Sequence, residues 1–167
     1  MLTDLKQDYQ RYRETGSSIT DLMFSRGFQA VVSYRLRHWL WMKKVPFIHV
    51  IIGYFTEVVT GVEIPPTVIA GGGLVIHHGG PVLMIGNTRL GNNVSVRPGV
   101  VIGGDYLGGG APVLGNNIEI GVGAKIIGNV NLGDNCQIGA NAVVTKSYPE
   151  YSVLCGIPAR PIINERS

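Results

Sequence analysis

The fold is decided by residues 114–144, LGNNIEIGVGAKIIGNVNLGDNCQIGANAVV, in which an aliphatic side chain returns at every sixth position. These positions are Leu114, Ile120, Ile126, Leu132, Ile138 and Val144. Glycine directly follows four of them, and a mostly small or medium-sized residue lies two positions before each. A six-residue period of this kind is typical of a parallel β-helix, with three short strands in each coil. We therefore predict a mainly β protein.

The same period extends upstream to Val62, with two interruptions. The aliphatic positions are Ile64, Ala70 and Ile76 in one run, and Met84, Leu90, Val96 and Ile102 in the next. Between the two runs, residues 77–81 contain two more residues than the period allows. The second interruption is GGDYLGGGA at 103–111, where the period would require an aliphatic residue and finds Gly108. Such a glycine-rich stretch cannot fill an interior, so we predict a loop that leaves the coil and returns in register.

Residues 1–60 lack the six-residue period and show helical patterns instead. Apolar residues recur at three and four positions within 25–42, Pro46 interrupts the pattern, and a second helical stretch covers 47–60 before Gly61. We predict two or three helices here. The expected organisation is a helical segment at 1–60, a β-helix at 61–148 with an extended loop at 103–111, and a C-terminal tail at 149–167 that closes the coil.

The composition fits a repeat fold and argues against several classes of function. The 24 glycines and the aromatic content of 8% suit a solenoid with tight corners and a narrow interior. A net charge of +3 without a base-reading motif gives no reason to expect nucleic acid. Cys136 and Cys155 have neither metal-site nor disulfide-framework spacing, so no metal is expected. The first residues are charged where a signal peptide is apolar, and we expect a cytoplasmic protein.

Residues 34–56 combine apolar, aromatic and basic side chains. The uncharged run at 45–56 is shorter than the roughly 20 residues that cross a bilayer. Aromatic and basic residues also favour the membrane interface, so peripheral contact with the inner face of a membrane is one interpretation of this segment. Packing of its helices against a partner or against the solenoid is the other.

Several motifs resemble those of the hexapeptide-repeat acyltransferases, and within them the serine acetyltransferase group. The matching stretches are GFQAVVSYRLRHWLW at 27–41, GVEIPP at 61–66, IHHG at 76–79, GAKIIGN at 123–129, IGANAVV at 138–144 and GIPARPI at 156–162. The resemblance implies a left-handed β-helix, acetyl-CoA as co-substrate, a hydroxyl acceptor, and a homotrimer with active sites between subunits.

Two positions depart from the serine acetyltransferase pattern. His77 stands where the family has an Asp before its catalytic His, and Ala111 stands where it has a second His before the proline that ends the loop. Groups that hold an amino acid would then be missing. The short helical segment and the IHHG form also resemble acetyltransferases of capsular and exopolysaccharide clusters, such as the colanic acid type. We therefore expect a hydroxyl of a sugar or polysaccharide precursor as acceptor, with serine, or a non-catalytic scaffold, as the alternatives.

The resemblance also assigns the residues of the site. His78 is the expected general base, and Glu63, fifteen residues earlier as in the family pattern, is expected to orient its imidazole. Histidine suits this role because its ordinary pKa near 6.5 leaves neutral imidazole available at cytoplasmic pH. His77 and Asp105 are expected to contact the acceptor, although His77 could equally pack within the fold. The residues expected to bind the coenzyme are Gly103, Gly104, Val122, Lys125, Ala140 and Arg160, with a solvated surface position as the alternative for Lys125 and Arg160.

We expect direct transfer in a ternary complex. The alternative, a covalent acetyl-cysteine, is disfavoured because Cys136 occupies an inward position of the repeat. Cys155 lies in the tail without an obvious base.

Overall fold

The computed structural model describes residues 1–14, 18–105 and 109–162, and four helices precede the β-helix in this part of the chain. They are α1 (Leu2–Glu14), α2 (Ile19–Phe24), α3 (Arg26–Met42) and α4 (Ile48–Thr60). The sequence predicted two or three helices and missed α1. Leu2, Leu5, Tyr9 and Tyr12 recur there at three and four residues, so the helical pattern is present in the sequence, and the residues that α1 buries are Asp8 and Tyr12.

Local capping fixes where the helices start and stop. Ser18 and Asp21 form a capping box at the start of α2, and the Ser25 hydroxyl accepts a hydrogen bond from the Phe28 N–H at the start of α3. α4 ends at Gly61, whose φ of 72° is the left-handed conformation that glycine adopts without steric cost. The chain enters the first strand directly after this glycine.

In the described ranges, fifteen short strands form three sheets that the chain visits in turn. Sheet A contains β1 (Val62–Glu63), β4 (Val82–Met84), β7 (Val101–Gly103), β10 (Lys125–Ile127) and β13 (Val143–Val144). Sheet B contains β2 (Ile69–Ala70), β5 (Arg89–Leu90), β8 (Val113–Leu114) and β11 (Asn131–Leu132). Sheet C contains β3 (Val75–Ile76), β6 (Ser95–Val96), β9 (Glu119–Ile120), β12 (Gln137–Ile138), β14 (Val153–Cys155) and β15 (Arg160–Pro161). The result is a left-handed parallel β-helix, as predicted.

The strand register shows how the two interruptions are accommodated. Val62 pairs with Val82 and Leu83 with Val101, so the first coil is two residues longer than the second. Val101 pairs with Lys125, which makes the coil containing the glycine-rich loop six residues longer than the coil from Leu83 to Val101. Both interruptions are therefore insertions that leave strand pairing intact. Of the predicted loop at 103–111, residues 106–108, including Gly108, lie outside the described residues.

The interior consists of the side chains that recur with the six-residue period. Every aliphatic position of the period is buried except Ala70, which is half-buried. The inward positions two residues earlier are buried as well, and one of them, Thr88, has a hydroxyl without a hydrogen-bond partner. Cys136 is fully buried in one of these positions, and burial raises the pKa of its thiol. A buried thiol with a raised pKa is a poor nucleophile.

Polar side chains from α1 and α3 cover the open edge of the first coil. The Tyr34 hydroxyl donates to the Val68 carbonyl at 2.9 Å and accepts from the Ala70 N–H at 3.2 Å. The Tyr12 hydroxyl pairs in the same way with the carbonyl and the N–H of Ile76. These groups have no strand beside them, so the two hydroxyls take the place of a neighbouring coil.

A buried ion pair joins the two helices at this edge. Arg35 donates to both carboxylate oxygens of Asp8, at 2.9 and 3.0 Å, and both side chains are almost fully buried. Arg35 also donates to the carbonyls of Ala70 and Gly71, and Asp8 accepts from the Leu74 N–H at 2.8 Å. The pair therefore satisfies backbone groups of the coil while it holds α1 against α3.

α4 packs on α3 through one side and leaves the other exposed. Val50, Tyr54 and Val58 lie on the exposed side, with Tyr54 66% exposed. Across the described ranges, no helix has both the length and the apolar character needed to cross a membrane. Contact of residues 34–56 with a membrane or with a partner stays a prediction.

Replacing Tyr34 by Phe is expected to lower the free energy of unfolding by about 1–3 kcal/mol, because it leaves a buried N–H and a buried carbonyl unpaired. Urea unfolding followed by circular dichroism measures the change. The same substitution at Tyr151, which is 70% exposed, is the control and should change stability little. Equal stability of the Tyr34 variant and the control would contradict the role of this hydroxyl at the edge.

Candidate active site

The two extra residues of the first coil lie in a turn that carries both candidate histidines. This histidine turn, residues 77–81, connects sheet C to sheet A. His77 N–H donates to the Val96 carbonyl and Gly80 N–H to the Thr60 carbonyl, which fixes both ends of the turn. His78 has a φ of 62°, a left-handed conformation that is uncommon for residues other than glycine. Backbone strain of this kind is concentrated at functional sites.

Helices α1, α2 and α3 meet the histidine turn around a cavity of about 570 Å³. We call it the histidine cavity, and it is lined by Tyr12, Asp21, Phe24, Ser25, Arg26, Val75, Ile76, His77, His78 and Gly79. Gly27, at the start of α3, permits this close approach, because a methyl group there would collide with the Ile76 carbonyl oxygen. The helices thus build one wall of the cavity and the strained turn builds the other.

Glu63 is the second residue of β1 and does not line the histidine cavity. The turn contacts the chain at Thr60 and Gly61, close to the start of β1. The Glu63 side chain is exposed and lines a second cavity of about 330 Å³ together with Arg37. Burial lowers the pKa of Arg37, and the charge of Glu63 opposes that shift. No hydrogen bond joins Glu63 to His78 in the part of the chain that the structure describes, so their pairing stays a prediction.

His77 is half-buried and faces a cationic environment. Burial lowers the pKa of its imidazole, and the nearby Arg97 lowers it further, with smaller downward contributions from His78 and Arg11. Glu119 acts in the opposite direction and pairs with Arg97 at 3.3 Å and with Arg11 at 3.2 Å. His77 is therefore neutral near pH 7, and its ring offers one donor and one acceptor to a ligand.

The predicted coenzyme edge coincides with the corner that holds His78. The C–A corner comprises residues 77–81, 97–99, 121–123 and 139–141, which lie one above another because backbone hydrogen bonds join each turn to the next. Val122 and Ala140 lie exposed at this corner. At about 4.8 Å per coil, three steps from His78 to Ala140 cover roughly 14 Å. An extended pantetheine arm can follow an edge of this length.

The Lys125 side chain hydrogen-bonds to the backbone of the same corner. Its ammonium donates to the carbonyls of Gly99 and Gly123, at 2.8 and 2.7 Å. Two of its three donor protons are thus engaged with backbone, which leaves one for an outside group. Lys125 stabilises the corner whether or not it also meets a coenzyme phosphate.

The remaining predicted residues lie outside the histidine cavity of their own chain. Gly103, Gly104 and Asp105 line a separate cavity of about 340 Å³ on sheet A, where the Asp105 N–H donates to the Gly110 carbonyl at the base of the loop. Arg160 is exposed on β15, which pairs antiparallel with β14. In a single chain, the histidine cavity and the cavity lined by Gly103, Gly104 and Asp105 are therefore separate.

Sequence reasoning missed the helical wall of the cavity. Tyr12, Asp21 and Arg26 line it, yet none belongs to the six-residue period or to a spacing that suggests a site. Their position depends on how α1–α3 pack on the first coil, which is a tertiary effect. Gly27, at the start of the matched stretch 27–41, was the only signal near them.

A coiled scaffold of six-residue repeats with a strained histidine at one corner defines a hexapeptide-repeat acyltransferase. Residues 111–146 match the family model described as bacterial transferase hexapeptide (six repeats). Serine acetyltransferase of Synechococcus elongatus is 34% identical over 97% of this chain and 67% of its own length. Serine acetyltransferase of Helicobacter pylori is 37% identical over 87% of this chain and 86% of its own length. The chain belongs to the serine acetyltransferase family.

Solved structures agree with this assignment. Serine acetyltransferase of Neisseria gonorrhoeae in complex with serine has a TM-score of 0.87 at 30% identity, covering 95% of this chain and 68% of that one. A serine acetyltransferase in complex with CoA has a TM-score of 0.75 at 33% identity, covering 82% of this chain and 57% of that one. The fold, the acyltransferase activity and the use of acetyl-CoA with a hydroxyl acceptor are thereby confirmed.

The expectation of a sugar or polysaccharide acceptor, with its link to the colanic acid type, is wrong. Serine acetyltransferases match nearly the whole chain, through the helices as well as the coils. The departures at His77 and Ala111, the short helical segment and the IHHG form led to the expectation, but they are local features against a similarity that spans the chain. Single residues near a site change within a family more readily than the family itself changes.

Stability is expected to depend on pH through His77. Its folded pKa lies below the ordinary value near 6.5, so the unfolded chain binds the proton more tightly. The stability contributed by neutral His77 is therefore present above about pH 6.5 and is lost as the pH falls through the folded pKa. Urea unfolding at pH 7.5, 6.5 and 5.5 should show a smaller decline for His77→Gln than for the wild type. His49→Gln, on α4, is the control, and an unchanged decline in the His77 variant would refute the assignment.

Proposed function

We propose that this protein is a serine O-acetyltransferase that moves an acetyl group from acetyl-CoA to the hydroxyl of L-serine. The similarity to serine acetyltransferases across both the helices and the coils carries the proposal. The geometry supports it, because one corner of the β-helix combines a cavity for a small acceptor with an exposed edge for the coenzyme. Cytoplasmic use of the product in cysteine synthesis would fit this activity.

His78 acts as the general base in this reaction. Its imidazole takes the proton of the serine hydroxyl while the hydroxyl oxygen attacks the thioester carbonyl carbon. The tetrahedral intermediate then collapses, the carbon–sulfur bond breaks, and the imidazolium returns the proton to the departing thiolate. O-acetylserine and CoA leave, and the enzyme regains a neutral imidazole. Glu63 is proposed to orient the imidazole and to stabilise its charged form, by a contact made when the site is complete.

The active site is proposed to lie between subunits of a homotrimer. In one chain, the histidine cavity and the groove lined by Gly103, Gly104 and Asp105 are separate. Three-fold association would place a face of one subunit against the adjacent face of the next and would bring such surfaces together. Light scattering that shows a monomer at working concentration would contradict this arrangement.

Replacing His78 by Ala is expected to lower kcat by about 10²- to 10⁴-fold, because the general base is lost. Thiol release from acetyl-CoA in the presence of serine measures the rate. Tyr151→Ala, at an exposed position outside both the histidine cavity and the cavity that Glu63 lines, is the control and should retain wild-type turnover. Near wild-type turnover in the His78 variant would refute the assignment of the base, and a wild type inactive toward serine would refute the acceptor.

Replacing Ala140 by Trp is expected to weaken coenzyme A binding at least tenfold, because the indole would cover the C–A corner where the pantetheine arm lies. Calorimetric titration with coenzyme A gives the affinity. Thr145→Trp is the matched control, since Thr145 is exposed in the same part of the coil but beyond sheet A, at the next corner. Equal affinities of the two variants would show that the coenzyme follows another edge.

A further inference from the structure

Among the residues that the structure describes, Arg26 is the arginine that lines the histidine cavity. Arg97 and Arg11 also lie near His77, but both form ion pairs with Glu119. The Arg26 guanidinium forms no hydrogen bond or ion pair within residues 1–14, 18–105 and 109–162. A positive charge that lines a cavity and has no partner of its own is available to an anionic group of a ligand.

The stem of Arg26 is placed by the histidine turn itself. A methyl group at Gly79 would lie 2.5 Å from Arg26 Cδ and 2.7 Å from its Cβ, so glycine at this position leaves room for the stem. Gly79 directly follows His78, and Arg26 is the first residue of α3. The guanidinium is thereby held in the cavity beside the proposed base rather than on a distant part of the surface.

Asp21 contributes the opposite charge to the same cavity. Hydrogen bonds from Ser18 hold the pKa of this carboxyl below its ordinary value, so it is charged near pH 7. Asp21 and Arg26 line the same cavity without an ion pair between them in the described chain, and one Asp21 carboxylate oxygen accepts from the Ser18 N–H. A neutral sugar hydroxyl requires neither charge, whereas an α-amino acid carries a carboxylate and an ammonium on one carbon.

We propose that Arg26 binds the carboxylate of the amino-acid acceptor and that Asp21 binds its ammonium, with the acceptor hydroxyl directed to His78. The proposal rests on the function proposed above and names the groups that hold serine in a chain with His77 and Ala111 at the two departing positions. The planar guanidinium can donate two parallel hydrogen bonds to a carboxylate, which fixes the direction of the acceptor as well as its charge. Arg26 and Asp21 are thus substrate-binding residues of α3 and α2.

The test compares serine with two analogues that each lack one charge. Serinol has no carboxylate and glycerate has no ammonium, and both retain a primary hydroxyl. Arg26→Met keeps an unbranched stem over Gly79 but removes the charge. This variant is expected to raise the KM for serine about tenfold, because a hydrogen bond between charged groups is lost. The KM values for serinol and acetyl-CoA should stay unchanged. Arg89→Met, at an exposed arginine on sheet B, is the matched control.

Asp21→Asn is the second variant, because an amide oxygen can still accept from the Ser18 N–H and keep the cap of α2. This variant is expected to raise the KM for serine about tenfold and to leave the KM for glycerate unchanged. The ratio of kcat/KM for serine to kcat/KM for serinol measures the preference for serine. If the wild type has this preference and Arg26→Met does not reduce it, the assignment of Arg26 is refuted.

Direct binding separates this proposal from the function on which it rests. Calorimetric titration with serine should show weaker binding for Arg26→Met and for Asp21→Asn than for the Arg89 control. Serine binding that needs Arg26, without turnover, would support the cavity assignment and overturn the proposed function. Absence of serine binding to the wild type would overturn the cavity assignment.

Discussion

A parallel β-helix must satisfy the backbone of its first coil, and much of this structure follows from that constraint. Each later coil pairs with the one before it, but the first has none. Here α1 and α3 supply the missing partners through the hydroxyls of Tyr12 and Tyr34 and through the buried pair of Asp8 and Arg35. Because these groups replace a neighbouring coil, the helices have to lie directly on the edge. The same contact builds the cavity wall beside the histidine turn.

The histidine cavity therefore lies where two kinds of structure meet. The coils supply a corner that runs past successive turns, and the inserted residues at 77–81 place His78 in a strained conformation at its first step. The helices supply polar side chains that a coil of aliphatic hexads does not contain, such as Arg26 and Asp21. Neither part alone has both an edge for an extended coenzyme and an enclosed place for a small acceptor.

The sequence predicted the coils well, because a six-residue period is visible in the residues themselves and indicates a parallel β-helix. It placed the buried positions from Val62 to Val144, found both insertions and located α3 and α4. It missed α1, although Leu2, Leu5 and Tyr9 recur there at helical spacing, and so missed the hydrogen bonds that Asp8 and Tyr12 make to the backbone of the first coil. It gave the wrong acceptor because it set His77, Ala111, the short helical segment and the IHHG form above the resemblance of the whole chain. The groups lining the other wall of the cavity come together only when the helices dock.

The six-residue insertion before Val113 makes the strand pairing of the coils independent of the residues that the insertion contains. Strand pairing continues across it from Leu90 to Leu114 and from Ile102 to Ile126, so the neighbouring coils do not depend on its contents. The insertion can therefore change in sequence or in length without altering the strand pairing of the neighbouring coils. The β-helix can therefore persist while the surface formed by this insertion changes in length and composition.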